Sequence, residues 1–110
     1  MTFDKDQPAA PVDGEIEELI DLEEWAKAGK KPKPAKVYRI RIDKEKFDVK
    51  VSVMTGREIL ALVKKTPETY LLSQKIRGGA TEPIGADEKV RFDKPGVERF
   101  QTLPLDPTEG

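Results

Sequence analysis

Few side chains in this sequence are suited to catalysis. It contains no cysteine and no histidine, so it has no thiolate nucleophile, no Cys/His zinc site and none of the side chains that most often act as acid or base near neutral pH. The paired carboxylates Glu23-Glu24 and Asp87-Glu88 could supply a general acid and base. Nothing near either pair would bury it, so solvated charges are expected. The composition predicts that the chain is not an enzyme.

The remaining reactive group is the carboxylate of the last residue, Gly110. A glycine has no side chain to obstruct a narrow channel, and its backbone reaches conformations that other residues avoid. The segment before it has two prolines and no apolar periodicity, and is expected to be exposed and extended. It comprises Pro104, Leu105, Asp106, Pro107, Thr108 and Glu109. Gly110 is either a terminus presented to another protein or merely the residue at which the sequence stops.

Length and composition predict one small domain with a modest core. The 110 residues are 37% charged and 36% hydrophobic, and a domain of this size buries only about 60–65% of its unfolded surface. No run approaches the roughly 18 apolar residues of a membrane span, and the polar N-terminus has no signal-peptide stretch. The missing cysteines suit a reducing compartment. We therefore expect a cytoplasmic protein with no membrane partner.

Charge is distributed unevenly along the chain. Residues 1–34 hold nine acids and five bases, residues 35–100 hold fifteen bases and ten acids, and residues 101–110 add two acids. An acidic segment thus precedes a basic domain. Few aromatic residues accompany this charge, which argues against a nucleic-acid partner. A solvated surface, or a patch that faces an acidic protein, is expected instead.

Two segments precede the main domain. Residues 1–12 are polar and proline-containing and are predicted to be disordered. Residues 13–35 are predicted to form an amphipathic helix capped by Asp13 and ended by a glycine, followed by an extended linker rich in lysine and proline. Leu22 and Trp25 lie on its apolar side, and tryptophan is enriched among binding hot spots. The helix would dock on its own domain, bind a partner's groove or remain partly disordered.

Residues 36–103 are predicted to form the folded domain. Alternating apolar and polar residues at 37–42 and 47–53 predict an antiparallel hairpin with one wet face. A helix should follow, because Thr55 stands three residues before Glu58 in a capping-box pattern. The hairpin and the helix each have one apolar face, and these faces are expected to bury against each other.

The remaining segments complete an α+β domain. Extended pieces are predicted at 70–76, 90–92 and 97–103, with turn-rich sequence between the first two. Val97 and Phe100 can both face the core only if a turn or bulge intervenes. This order of hairpin, helix and strands is that of a β-grasp fold, in which a mixed sheet wraps one helix and the first and last strands pair in parallel.

One face of the predicted sheet carries candidates for partner binding. Leu71 and Leu72 are adjacent in a strand and so face opposite sides, and Leu72 is predicted to be the core residue. Leu71 would then be exposed, with outward Arg39, Arg41 and Lys50 forming a basic rim around a docking patch. The alternative is an ordinary half-exposed leucine on a charged sheet.

The sequence resembles the bacterial multiubiquitin family. The likeness is carried by Tyr-Arg-Ile-Arg-Ile-Asp at 38–43, Thr-Gly-Arg-Glu-Ile-Leu at 55–60 and Pro-Gly-Val-Glu-Arg-Phe at 95–100, and the segment 21–30 is similar to the stretch before those domains. It covers roughly residues 20–103. Two features depart from the family pattern, since this chain has one unit rather than a tandem array and ends in a single glycine where ubiquitin has two.

The resemblance implies a ubiquitin-like protein modifier. Its C-terminal Gly110 would be adenylated by an E1-like activating enzyme, passed to an E2-like conjugating enzyme and joined to an amine of a target protein. A deubiquitinase-like peptidase would be encoded nearby, in bacterial operons associated with antiphage defence. The modifier itself would need no cofactor, because ATP is used by the activating enzyme. The alternative is a non-covalent β-grasp interaction module.

A second glycine-ended run lies inside the chain. Lys-Ile-Arg-Gly-Gly at 75–79 looks like the end of ubiquitin. Cleavage after Gly79 would remove Phe100 and the strand that completes the sheet. A glycine turn after the third strand of the domain is therefore predicted.

Overall fold

A computed structural model describes residues 16–76, 78–95 and 97–105. Its elements, in chain order, are β1 (Glu17–Asp21), α1 (Leu22–Lys27), β2 (Ala35–Ile42), β3 (Glu45–Val49), β4 (Val53–Thr55), α2 (Gly56–Leu62), β5 (Tyr70–Ile76), β6 (Thr81–Ile84), β7 (Lys89–Arg91) and β8 (Val97–Pro104). Neither helix in these ranges has the length and apolar character needed to cross a membrane.

A mixed six-stranded sheet forms the body of the protein. Its order is β1-β2-β8-β5-β6, and β3 also pairs with β2. β2 and β8 are parallel, with Ile42 opposite Phe100, while β5 is antiparallel to both β6 and β8. A separate ribbon joins β4 to β7. The predicted β-grasp arrangement, with parallel first and last strands of the domain, is confirmed.

The core joins α2 to the inward face of the sheet. Tyr38, Ile40 and Ile42 of β2 are buried, as their alternation predicts. The ring of Phe92 lies 5.8 Å from that of Tyr38 and 6.3 Å from that of Phe100, centroid to centroid. Burial of each large apolar side chain contributes about 1.5–3 kcal/mol relative to exposure. The cluster also includes Ile20, Leu22, Val49, Ile59, Leu60, Leu72, Ile84 and Val90.

The N-terminal segment differs from the prediction. Within the stretch 13–35, predicted to be helix and linker, residues 17–21 form β1, which pairs in parallel with β2. Ile20 lies opposite Tyr38 and is fully buried. The folded unit therefore begins at β1 rather than at residue 36. Short-range periodicity could not show this, because the free edge of β2 supplies the pairing.

The helix in this segment is short and has well-defined ends. Asp21 caps it, whereas the predicted cap, Asp13, lies outside the described residues. The predicted stop at Gly29 is confirmed by a left-handed φ of 76°. The N–H groups of Gly29 and Lys30 donate to the carbonyls of Ala26 and Trp25 at 3.1 and 2.9 Å. This pair of bonds is a Schellman motif, which explains the glycine.

The predicted second strand, 47–53, is interrupted. β3 ends at Val49 and β4 begins at Val53. Val51, predicted to face inward, is 50% exposed. The chain leaves β2 at this point and pairs with β7 instead.

The Thr-Gly-Arg-Glu block builds the start of α2. Thr55 and Glu58 form the predicted capping box, at 2.9 and 3.2 Å. A Cβ added to Gly56 would lie 2.3 Å from the carbonyl oxygen of Gly85. The N–H of Gly56 donates to the carbonyl of Glu88 at 3.1 Å. The glycine therefore permits the loop between β6 and β7 to cover the helix N-terminus.

The β5–β6 hairpin confirms one prediction and corrects another. Gly78 and Gly79, which follow β5, both have φ of 101°, so a glycine turn comes after this strand, as predicted. Strand β6 falls in a segment that was predicted to be turn-rich because of Pro83 and Gly85. It lies at the edge of the sheet, where proline is tolerated because its missing N–H would face solvent.

The last strand contains the bulge that its sequence required. Lys75 lies opposite Arg99, but the next pair is Ile76 with Val97, so Glu98 is skipped. The skipped residue changes the side to which β8 residues point. Val97 therefore packs against the core although it is three residues from Phe100.

Candidate functional site

The end of β8 is tied to the start of β5. Pro104 lies opposite Tyr70, and the N–H of Leu105 donates to the carbonyl of Thr69 at 2.9 Å. Pro104 and Leu105 are thus extended and exposed, as predicted, but also anchored. The other tail residues and the predicted conjugation site, residues 106–110, lie outside the described residues. The chain is held to the body as far as Leu105.

A side-chain cluster holds β8 just before this end. The N–H of Thr102 donates to Asp43 Oδ1 at 2.9 Å, and its hydroxyl donates to Oδ2 at 2.6 Å. Lys65 Nζ donates to the Thr102 hydroxyl oxygen at 2.8 Å and lies 3.6 Å from Asp43 Oδ2. We call these three residues the Asp43 cluster. It joins β8 to the β2–β3 turn and to the segment after α2.

The Asp43 carboxylate is stabilised in its charged form. Burial raises its pKa, but the hydrogen bonds from the hydroxyl and N–H of Thr102, together with the charge and hydrogen bonding of Lys65, outweigh this effect. The net pKa of Asp43 lies below its ordinary value. At neutral pH the cluster therefore contains an ionised carboxylate, and its hydrogen bonds are charge-assisted.

An apolar cavity lies beside the last described residue. It has a volume of about 220 Å³ and is lined by Leu105 together with Leu60, Leu72 and Ile84. Its walls come from α2, β5 and β6. The base of the tail thus rests against an apolar surface, which stabilises its extended course.

The outer face of β5 and β8 carries an exposed apolar pair. Leu71 lies opposite Leu103, and these side chains are 36% and 61% exposed. Leu72 is buried, as predicted. Leu103 was not among the predicted contact residues, because its position beside Leu71 depends on the register of two distant strands. Together they form a small surface that a partner could cover.

The predicted basic rim is largely neutralised. Arg39 binds Asp48 with two bonds of 2.7 and 3.0 Å, and Arg41 Nη1 binds Glu23 at 2.9 Å. Both arginines are on β2, which β8 separates from Leu71 on β5. Lys50 is exposed just after β3. The structure therefore does not bring these cations together around Leu71.

Two unbalanced cations lie closer to the leucine pair. Lys75 and Arg99 face each other across β5 and β8, and like charges in this position are destabilising. Within the described residues, Arg99 Nε is buried without a hydrogen-bond partner. Across the part of the chain that is described, neither side chain has a carboxylate within 4.0 Å. The sequence analysis did not identify these two cations. Their spacing is a usable signal, because Lys75 is four residues from Leu71 and Arg99 is four residues from Leu103, so each cation shares a strand face with a leucine.

The predicted N-terminal anchor is mostly internal. Leu22 is buried in the core, so its assignment to partner binding is corrected. Trp25 is half-buried, packs against the core, and carries Lys30 Nζ at 5.1 Å from its ring centroid. Glu23, predicted to be solvated, is 2% exposed. Of the two residues predicted to form this N-terminal anchor, only Trp25 keeps part of its side chain exposed to solvent.

Comparison with protein families gives a match to the model described as Multiubiquitin over residues 38–104. The match covers more than half of the chain and runs from β2 to the end of β8. It leaves β1 and α1 outside. Comparison with curated proteins and with solved structures gives no match.

Proposed function

Because the chain belongs to the multiubiquitin family, we propose that it is a ubiquitin-like protein modifier that is joined to other proteins through the carboxylate of Gly110. An E1-like enzyme activates this carboxylate with ATP, forming an adenylate and releasing pyrophosphate. The modifier is then transferred to the E2-like enzyme with release of AMP, and a target amine displaces that enzyme to form an amide. A deubiquitinase-like peptidase hydrolyses the amide. The setting we propose is antiphage defence in the cytoplasm of a bacterium.

The observation that carries the proposal is the course of β8. This strand crosses the centre of the sheet and is anchored until Leu105. The five residues that follow span at most about 16–18 Å when extended. That reach suits delivery of a carboxylate into a neighbouring active site. Pro107 restricts the segment and lowers the entropy lost when it is threaded.

The glycine at the end has a specific chemical purpose in this scheme. The carboxylate must approach the α-phosphate of ATP inside a channel, and a side chain on Gly110 would obstruct it. The same absence of a side chain helps later, when a target amine must reach the activated carbonyl. We assign partner docking to the Leu71–Leu103 pair, because both side chains are exposed in the described part of the chain.

The test is adenylation by the E1-like enzyme from the same genome. With ATP and that enzyme, the wild-type chain should support exchange of labelled pyrophosphate into ATP, and deletion of Gly110 should abolish it. Glu109→Gln is the matched control, because it changes the tail but keeps the glycine. Undiminished exchange with the truncated chain would refute the proposal.

A second candidate is a non-covalent interaction module. The exposed Leu71–Leu103 pair favours it, because this surface needs no carboxyl terminus. Under this alternative, partner binding survives deletion of Gly110 and is lost in Leu103→Asp. No covalent adduct of the chain would form in cells that contain the full set of enzymes.

A further inference from the structure

β8 has an unusually short backbone contact with β2. β1 occupies the edge of β2 from Ala35 to Arg39, so β8 meets it only at Ile42, opposite Phe100. One further bond runs from the N–H of Asp43 to the carbonyl of Phe100, at 2.9 Å. Beyond that point the edge of β8 that faces β2 has no backbone partner on this strand. The part of β8 that leads to the tail needs another anchor there.

Asp43 supplies this anchor because of the turn that it starts. Its φ of 55° is left-handed, a conformation that aspartate tolerates better than most residues. The main chain turns away into β3, so no β2 carbonyl can reach Thr102. The Asp43 carboxylate occupies that position and accepts both the N–H and the hydroxyl of Thr102. The Asp43 side chain thus supplies the hydrogen-bond acceptor for β8 at the point where the backbone of β2 turns away.

Lys65 completes the arrangement from the other side. Its ammonium donates to the Thr102 hydroxyl oxygen at 2.8 Å and lies 4.4 Å from the centroid of the Tyr70 ring. The Thr102 hydroxyl therefore donates one bond and accepts one, which satisfies it. Tyr70 is also the residue opposite Pro104. Tyr70 thus lies beside both the Asp43 cluster and the end of β8.

We propose that Asp43 is a positioning residue that fixes the point at which the C-terminal segment leaves the body. The inference rests on the proposed function, since a fixed point matters only if Gly110 must reach an enzyme. Thr102 and Leu105 are the two anchors of the segment between them. Leu103 and Pro104 pair with Leu71 and Tyr70 of β5, but Pro104 has no N–H to donate. β5 therefore holds this segment from one side, and the Asp43 cluster supports the strand from the other.

Loss of the cluster leaves β5 as the partner of this end of β8 within the described residues. If the strand end then frays back to Thr102, the number of residues between the last held position of the described chain and the carboxylate of Gly110 grows from five to about eight. Effective concentration falls roughly as the −3/2 power of length, so the KM for activation should rise about twofold. The kcat should stay unchanged, because the chemistry at Gly110 is untouched.

The experiment compares Asp43→Ala with Asp43→Asn and Asp48→Ala. Asparagine tolerates the left-handed turn and still accepts the Thr102 N–H, so it should restore the wild-type KM. Asp48→Ala removes an ion pair from the same hairpin without touching β8. In Asp43→Ala, amide exchange at Thr102 and Leu105 should accelerate by about tenfold or more, as for a lost charge-assisted bond, while exchange at Ile40 should not change.

The outcomes separate this inference from the proposed function. If no activation of the wild-type chain occurs, the proposed function fails, while amide exchange still tests the anchor. Unchanged exchange at Thr102 in Asp43→Ala would overturn the inference. So would faster exchange with an unchanged KM. If Asp43→Ala does not fold, Asp43→Gly replaces it, because glycine tolerates the left-handed turn and also removes the carboxylate.

Discussion

Glu23 of α1 and Arg41 of β2 form an ion pair of 2.9 Å that ties the N-terminal helix to the sheet. The carboxylate is buried, and Lys46 and Lys27 lie 3.7 and 3.5 Å from it. Such a carboxylate depends on its partners, because an unpaired buried charge is strongly unfavourable. The part of the acidic segment that forms β1 and α1 is thus part of the folded body.

Replacing Glu23 by alanine should lower the free energy of unfolding by about 3 kcal/mol, the low end for a broken buried pair. The low end applies because Arg41 is 30% exposed and can rehydrate. Urea denaturation measures the change. Glu24→Ala, an exposed neighbour on the same helix, should cost less than about 0.5 kcal/mol. Equal losses in the two variants would contradict the prediction.

Removing residues 1–34 should unfold or severely weaken the domain. The truncation deletes the large core side chains of Ile20 and Leu22, worth about 1.5–3 kcal/mol each, and exposes the edge of β2. Thermal denaturation followed by circular dichroism provides the measurement. Ile16→Ala, at an exposed residue just before β1, is the control, and it should leave the Tm nearly unchanged. A chain starting at residue 35 with wild-type Tm would show that β1 and α1 are dispensable.

Gly56→Ala should destabilise the domain by about 2–3 kcal/mol, because the new methyl group would overlap the Gly85 carbonyl and force the loop away. Gly79→Ala is the comparison. It has an unfavourable φ of 101° but no atom within 4 Å of the added carbon, so only about 1 kcal/mol should be lost. Chemical denaturation of both variants decides the order, and a greater loss at Gly79 would contradict the steric argument.

Acid should weaken the fold below about pH 4. Hydrogen bonds from Arg39 and Arg91 hold the pKa of Asp48 and of Asp93 below their ordinary values in the folded state. In the unfolded state these carboxyls have a pKa of about 3.9. As the pH falls from there through the lower pKa values of the folded state, protonation favours unfolding. Asp93→Asn should flatten this dependence in urea titrations between about pH 2 and 4. If the wild type and Asp93→Asn showed the same dependence of unfolding free energy on pH, Asp93 would not contribute to the acid sensitivity.

The exposed leucine pair should affect binding but not stability. Leu103→Asp places a charge on the outer face next to Leu71 and should weaken the E1-like enzyme's binding by about tenfold, the loss expected for one apolar contact. Its Tm should stay within a few degrees of the wild type. Val51→Asp, on an exposed residue elsewhere, is the control for added charge. Isothermal titration measures both, and equal binding by Leu103→Asp would show that partners use another face.

The sequence predicted those elements whose cause is local. The alternation from Tyr38 to Ile42 and the Thr55–Glu58 capping box depend on near neighbours, and the structure confirms both. β1 was missed because Leu19, Ile20 and Leu22 fit a short helical stripe as well as a strand. This segment forms a strand because it pairs with the edge of β2, which is fourteen or more residues away in the sequence.

The candidate site was less accessible to prediction for the same reason. Leu103 and Arg99 became candidates because they face Leu71 and Lys75, and these pairings are set by the register of β8 against β5, two strands distant in the sequence. Asp43 looked like an ordinary turn residue, since its partner Thr102 lies 59 positions along the chain. Spacing within a segment could not reveal contacts that the sheet topology creates.

β1 and β8 run end to end along one edge of β2, both in its direction. The first described residues therefore enter at one end of that strand, and Leu105 lies beyond the other. At about 3.3 Å per residue, the two points are roughly 40 Å apart. Two proteins that bind near Glu17 and near Leu105 would therefore occupy opposite ends of the domain and could bind at the same time.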